Sequence, residues 1–92
     1  MDITQIISAV HQVTGITYEQ MKERSRKQEI VNARQWVMYL APGGPEQIAS
    51  LFGLDRTTWY HAWKTKRNLL EVDKSQQEEY QQILARLERK AA

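Results

Sequence analysis

Apolar side chains recur along this chain every three to four positions, the spacing of one helical face, with no sustained alternation of the kind that marks strands. Ile3, Ile6, Ile7, Val10 and Val13 form a first stripe, with Asp2 placed as N-cap, Gln5 in the capping-box position and Gly15 as the stop. Thr17 and Gln20 repeat that pairing ahead of a short helix that turns Met21 inward. Arg24-Ser25-Arg26-Lys27 has no apolar content and reads as an exposed basic loop. A third helix is expected from about Glu29 to Ala41, burying Ile30, Val31, Ala33, Val37 and Leu40. Pro42-Gly43-Gly44-Pro45 then breaks the chain, and Pro45 suits the first helical turn, where its missing N–H is no loss.

The next stripe is brief: Ile48, Ala49, Leu51 and Phe52, ended by Gly53. Asp55 is the expected cap of a long helix to about Leu70. Ser75 with Glu78 reads as a last capping box, before a stripe of Tyr80, Ile83, Leu84 and Leu87. The expectation is an all-α fold, a compact six-helix domain with two short members, occupying residues 1–92 as one unit.

Composition narrows the class. With 41% hydrophobic and 26% charged residues the chain fits a globular domain rather than a disordered one. No stretch nears the roughly 18 apolar residues of a membrane span, and the start lacks the features of a secretion signal. The absence of cysteine removes disulfides and thiolate metal sites, and a cytoplasmic location is expected. Net charge is only +2, but from Lys22 to Arg67 nine basic residues face four acidic ones, leaving the rest of the chain net acidic. A central basic region suits a polyanion.

A short helix, a glycine turn and a longer helix match a helix-turn-helix, with the turn at Gly53-Leu54. At about 100° per residue, Trp59, Ala62, Trp63, Lys66, Leu69 and Leu70 of the second helix fall toward the core. Thr57, Tyr60, His61, Lys64, Arg67 and Asn68 fall opposite, with Arg56 on the border, and no Asp or Glu occurs from Arg56 to Leu70. That outer face offers hydroxyl, imidazole, amide and basic groups, the kinds that contact base edges and phosphates in a major groove.

Arg34-Gln35, Met38-Tyr39-Leu40, Leu51-Phe52-Gly53, Asp55-Arg56-Thr57-Thr58 and His61-Ala62, in that order, resemble the C-terminal DNA-binding domain (domain IV) of the bacterial replication initiator DnaA. The resemblance is strongest over residues 3–72, leaving 75–90 as an extra C-terminal helix. It implies a fold related to the Trp-repressor type and double-stranded DNA as the partner. By position, Asp55, Arg56 and Thr57 match the triplet that reads bases in the major groove, and Arg26 the loop arginine that enters the minor groove. Gln35, Pro45, Thr58 and His61 match positions near the phosphate backbone, and Lys27 and Lys64 are added as further backbone contacts. Physical chemistry agrees: an arginine suits a narrow, electronegative minor groove, and a threonine both touches a thymine methyl and donates a hydrogen bond.

This chain departs from the family where Arg56 replaces a histidine, offering a fork for guanine O6 and N7 and so a changed target sequence. The Pro42–Pro45 connection is short, and a basic family residue from that region has no counterpart. Trp59 and Trp63 stand where the family has smaller side chains, implying a repacked core. No Gly-rich phosphate loop occurs, so the ATPase module is expected to be missing. His11 and His61 lie far apart in sequence with no recognisable catalytic spacing nearby. The chain is therefore expected to hold no metal or cofactor and to catalyse nothing. Two alternatives stand beside an origin-type binder. One is a transcription or mobile-element regulator with the same fold. The other is a protein–protein interaction module using Trp63, Tyr80 and the C-terminal helix.

Overall fold

The computed structural model describes residues 2–23 and 26–91, side chains of residues 45 and 89–91 excepted. Arg24 and Ser25 of the basic loop lie outside the described residues. Six helices follow in order among the described residues: α1 (Ile3–Thr14), α2 (Tyr18–Lys22), α3 (Gln28–Leu40), α4 (Pro45–Ser50), α5 (Arg56–Val72) and α6 (Lys74–Ala91). The described residues contain no strand, and no helix among them is long and apolar enough to cross a membrane.

Local chemistry sets the first two helices. The Asp2 carboxylate accepts from the Gln5 amide at 2.9 Å while Gln5 Oε1 accepts from the Asp2 amide at 3.0 Å. Thr17 and Gln20 repeat the exchange at 3.1 and 2.8 Å, so both capping boxes satisfy amides that a helix start otherwise orphans. Gly15, at φ +79°, closes α1 through its own amide to the His11 carbonyl.

Packing centres on α3, which meets α1, α2 and α5. Ile30, Ala33, Trp36, Val37 and Met38 are its buried residues, whereas Val31 and Leu40 are only half-buried. The C-terminal segment folds back along α1, with Ile83 and Leu87 buried and Arg86 Nη1 donating to Gln12 Oε1 at 3.1 Å. The apolar stripe of α6 is therefore used inside the fold. Its start differs from expectation. Asp73, not Ser75, caps it, accepting from the amides of Ser75 and Gln76 at 2.9 and 3.2 Å and from the Ser75 hydroxyl at 2.9 Å. A carboxylate two residues earlier reaches the free amides first, so the Ser75–Glu78 box does not form.

One polar cluster joins three helices inside this core. Lys66 of α5 is fully buried. Its ammonium donates to Asn32 Oδ1 of α3 and, at 2.6 Å, to Gln76 Oε1 of α6, and lies 4.1 Å from the Trp36 ring centroid. Asn32 Nδ2 donates to Glu79 Oε1 at 2.7 Å, the Trp36 indole N–H donates to the same oxygen, and Gln76 Nε2 donates to Asn32 Oδ1 at 3.1 Å. Aromatic rings surround the cluster: Trp36 stacks on Tyr80 at 5.7 Å, Tyr39 on Trp63 at 6.0 Å and Trp63 on Trp59 at 6.2 Å. A buried cation is tolerable only with such a set of partners.

Burial lowers the Lys66 pKa from 10.5 to about 8, against the opposing pull of Glu79 and Asp73. The unfolded chain therefore holds this proton more tightly than the folded one, and stability rises as pH climbs from about 8 toward 10.5. The full gain is on the order of 3 kcal/mol at most. Urea unfolding of the native chain and of Lys66→Met at pH 7.5 and 9.5 checks this. The stability difference between the two should grow in favour of the native chain at the higher pH, and an unchanged difference would refute the linkage.

Candidate nucleic-acid interface

The turn between α4 and α5 is built by glycine geometry. Gly53 sits at φ +66°, its amide bonds to the Ser50 carbonyl at 3.1 Å, and the Leu54 amide bonds to the Ala49 carbonyl at 2.9 Å. This paired Schellman pattern ends the short helix and turns the chain within two residues. The Tyr18 hydroxyl, from α2, donates to the Leu51 carbonyl at 3.0 Å, and its ring meets Phe52 edge-on at 6.0 Å. The turn is thereby fixed to the rest of the core.

Asp55 then starts α5. Its Oδ1 accepts from the Thr58 amide at 2.8 Å and the Thr58 hydroxyl at 2.9 Å. Those bonds, with a smaller contribution from His61, hold the carboxyl below its ordinary pKa of 3.8. Beyond the cap the expected division of faces is realised: Lys66 is buried and Trp59, Ala62, Trp63, Leu69 and Leu70 are half-buried. Arg56, Thr57, Thr58, Tyr60, His61, Lys64, Arg67 and Asn68 are exposed.

The predicted residues fall into neighbouring groups. Gln35, Thr58 and His61 line one groove between α3 and α5, together with Arg34 and Thr65. Arg56 and Thr57 border an adjoining hollow with Trp59 and Tyr60. Arg56 also borders a hollow formed with Gly44, Glu46 and Gln47, so the first turn of α4, which begins at Pro45, reaches the same end of α5. Lys64 lies exposed two turns beyond Thr57, its neighbour on the same outer face. Arg26 and Lys27 are exposed and lead into α3, for which Lys27 is the N-cap residue.

The cations divide into those used internally and those available. Lys66 is buried in the core cluster. Lys22 pairs with Glu19 at 3.3 Å and lies 4.7 Å from the Tyr18 ring centroid. The Arg67 guanidinium lies 5.0 Å from the Trp63 ring centroid. Arg34, which belongs to the Arg34-Gln35 motif but has no role implied by the sequence pattern, has a structural one. Its Nε donates to the Met21 carbonyl at 2.9 Å and its Nη2 to the Glu23 carbonyl at 2.7 Å, and burial lowers its pKa. Since Arg34 also lines the α3–α5 groove, it ties the beginning of the basic loop to the wall of that groove. Arg56 and Lys64, by contrast, form no ion pair among the described residues. The basic region is thus less uniformly outward than a residue count suggests, but Arg56 and Lys64 on the α5 face remain available.

A short helix and a long one joined by a left-handed glycine, the second presenting an exposed face with unpaired donors, define a helix-turn-helix domain. The sequence bears this out: residues 3–65 match the bacterial DnaA protein helix-turn-helix, and the chain belongs to that family. It is 38% identical over 94 residues to the chromosomal replication initiator protein DnaA of Bacteroides thetaiotaomicron, covering 97% of this chain and 20% of that protein. To the protein of the same name from Porphyromonas gingivalis it is 37% identical over 75 residues, 76% of this chain and 16% of the relative. The chain thus spans about a fifth or less of the length of these relatives.

Two expectations follow from the turn and the cap. An added Cβ at Gly53 meets nothing within 4 Å, so Gly53→Ala carries backbone strain without a clash. It should lower unfolding stability by about 1 kcal/mol, and Gly53→Asn by less, as measured by urea titration; a neutral alanine would contradict the left-handed turn. The Asp55 cap is fully present above the ordinary carboxylate pKa and is lost as pH falls through the depressed one. The Thr58 amide resonance in NMR should therefore titrate with a midpoint below 3.8 and stop titrating in Asp55→Asn. A midpoint at or above that value would count against the cap.

Proposed function

We propose that this chain binds double-stranded DNA with sequence preference, laying the outer face of α5 into the major groove. Arg56 and Thr57 read bases there, with Arg56 taking the O6 and N7 of a guanine. Asp55, whose Oδ1 is engaged by Thr58, sets the frame from which they project. Arg26 enters the adjacent minor groove. Gln35, Thr58 and His61 in the α3–α5 groove, Pro45 at the start of α4, and Lys27 and Lys64 hold the phosphate backbone.

The single observation that carries this reading is the outer surface of α5. From Arg56 to Asn68 it is exposed, lacks carboxylates and keeps Arg56 and Lys64 clear of ion pairs with the described residues. A face meant only for solvation gains from mixed charge signs, whereas a phosphate-binding face gains from one sign. Membership of the DnaA helix-turn-helix family points the same way. The relatives are named as chromosomal replication initiators, and we read the chain as the recognition part of such a system. Within these 92 residues no Gly-rich phosphate loop provides for nucleotide hydrolysis.

Selection of bound duplexes from a random library, followed by titration of the selected site across salt concentrations, tests the proposal. Affinity should fall steeply as salt rises. Arg56→Ala should cost about 1–3 kcal/mol on the selected site and relax preference at one base pair. Arg26→Ala should lose most on A·T-rich flanks. Equal loss on every sequence for Arg56→Ala, or a flat salt dependence, would overturn the assignment.

A further inference from the structure

Tyr60 has no part in the core and no assigned role, yet it occupies the middle of the outer face. It is 50% exposed, one of the two large apolar side chains most open to solvent among the described residues. At about 100° per residue it projects between Arg56 and Thr57, with Lys64 and Arg67 flanking it from the turns that follow. His61 and Thr58 turn instead toward the α3–α5 groove that they line. The ring borders a hollow with Arg56 and Thr57 and meets the His61 imidazole edge-on at 6.1 Å. No hydrogen bond within the described residues engages its hydroxyl. An isolated surface aromatic is ordinary; one centred between two charged or hydroxyl-bearing base readers has a particular use.

We propose that the Tyr60 ring is a sequence-reading element that packs against the 5-methyl group of a thymine in the major groove. The assignment rests on the DNA-binding reading of α5. Arg56 offers charged donors, and Thr57 is short. A phenol ring extends past the threonine and, unlike the guanidinium, presents an apolar surface, and the thymine methyl is the apolar group that a major groove displays. The ring would thus add preference for an A·T pair beside the guanine taken by Arg56. Its hydroxyl is not required for that contact, which separates this role from a phosphate hydrogen bond.

The experiment uses the 92-residue chain and the duplex recovered by selection, prepared with thymine or with deoxyuridine, which lacks only the methyl group, at the single position beside the guanine taken by Arg56. The native chain should bind the thymine duplex roughly three- to tenfold more tightly than the uracil duplex, the effect of burying about one methyl group. Tyr60→Phe should retain that preference. Tyr60→Ala should lose affinity on the thymine duplex and little on the uracil duplex, abolishing the preference, while Tyr60→Leu keeps part of it. Equal loss for Tyr60→Ala on both duplexes, or loss in Tyr60→Phe as large as in Tyr60→Ala, would overturn the assignment while leaving DNA binding in place. Absence of salt-sensitive duplex binding by the native chain would remove both readings together.

Discussion

The buried ammonium of Lys66 sets the rotation of α5 about its own axis. A charge inside a protein must find partners at fixed positions, and here they come from two other helices: Asn32 and the indole face of Trp36 on α3, and Gln76 on α6. Glu79 holds Asn32 and Trp36 in turn. A helix secured by apolar contacts alone has some freedom to roll, because such contacts are not directional. With Lys66 held by directional bonds, α5 has one orientation, and Arg56, Thr57, Tyr60 and Lys64 are left facing outward. The polar cluster in the core thus determines which residues the surface displays.

The same economy separates the basic residues by task. Lys66 and Arg34 bear positive charge yet serve the architecture, one among side-chain acceptors and the other on the carbonyls of Met21 and Glu23. Arg56 and Lys64 form no ion pair within the described residues and leave their donors for a partner. Near Arg56 stands Glu46 of α4, outside ion-pair distance but lining the same hollow. The field at the start of α5 is therefore tempered by a carboxylate from the preceding helix. That suits directional hydrogen bonding by Arg56 better than unselective attraction of any anion.

How much was legible in the sequence follows the range of each interaction. Capping by Asp2 with Gln5, by Thr17 with Gln20 and by Asp55 acts over three residues, and periodicity alone turned Lys66 toward the core. The partners of Lys66 were not legible, because Asn32 is 34 residues away and no local pattern marks it. Arg34 was missed for a related reason: its acceptors are backbone carbonyls, which carry no side-chain signature. The start of α6 shows a different failure, in which two possible caps competed and the earlier one, Asp73, prevailed. The grouping of Gln35 with Thr58 and His61 came from the family resemblance, since α3 and α5 meet only in three dimensions.

The two carbonyl bonds of Arg34 have a mechanical consequence. The guanidinium belongs to a residue that walls the α3–α5 groove and, at its far end, grips the chain where the basic loop begins. A displacement of either part is transmitted to the other through one rigid planar group. The end of α2 and the wall of the groove are therefore joined through one side chain, and contributions that pass through a shared partner are coupled rather than additive.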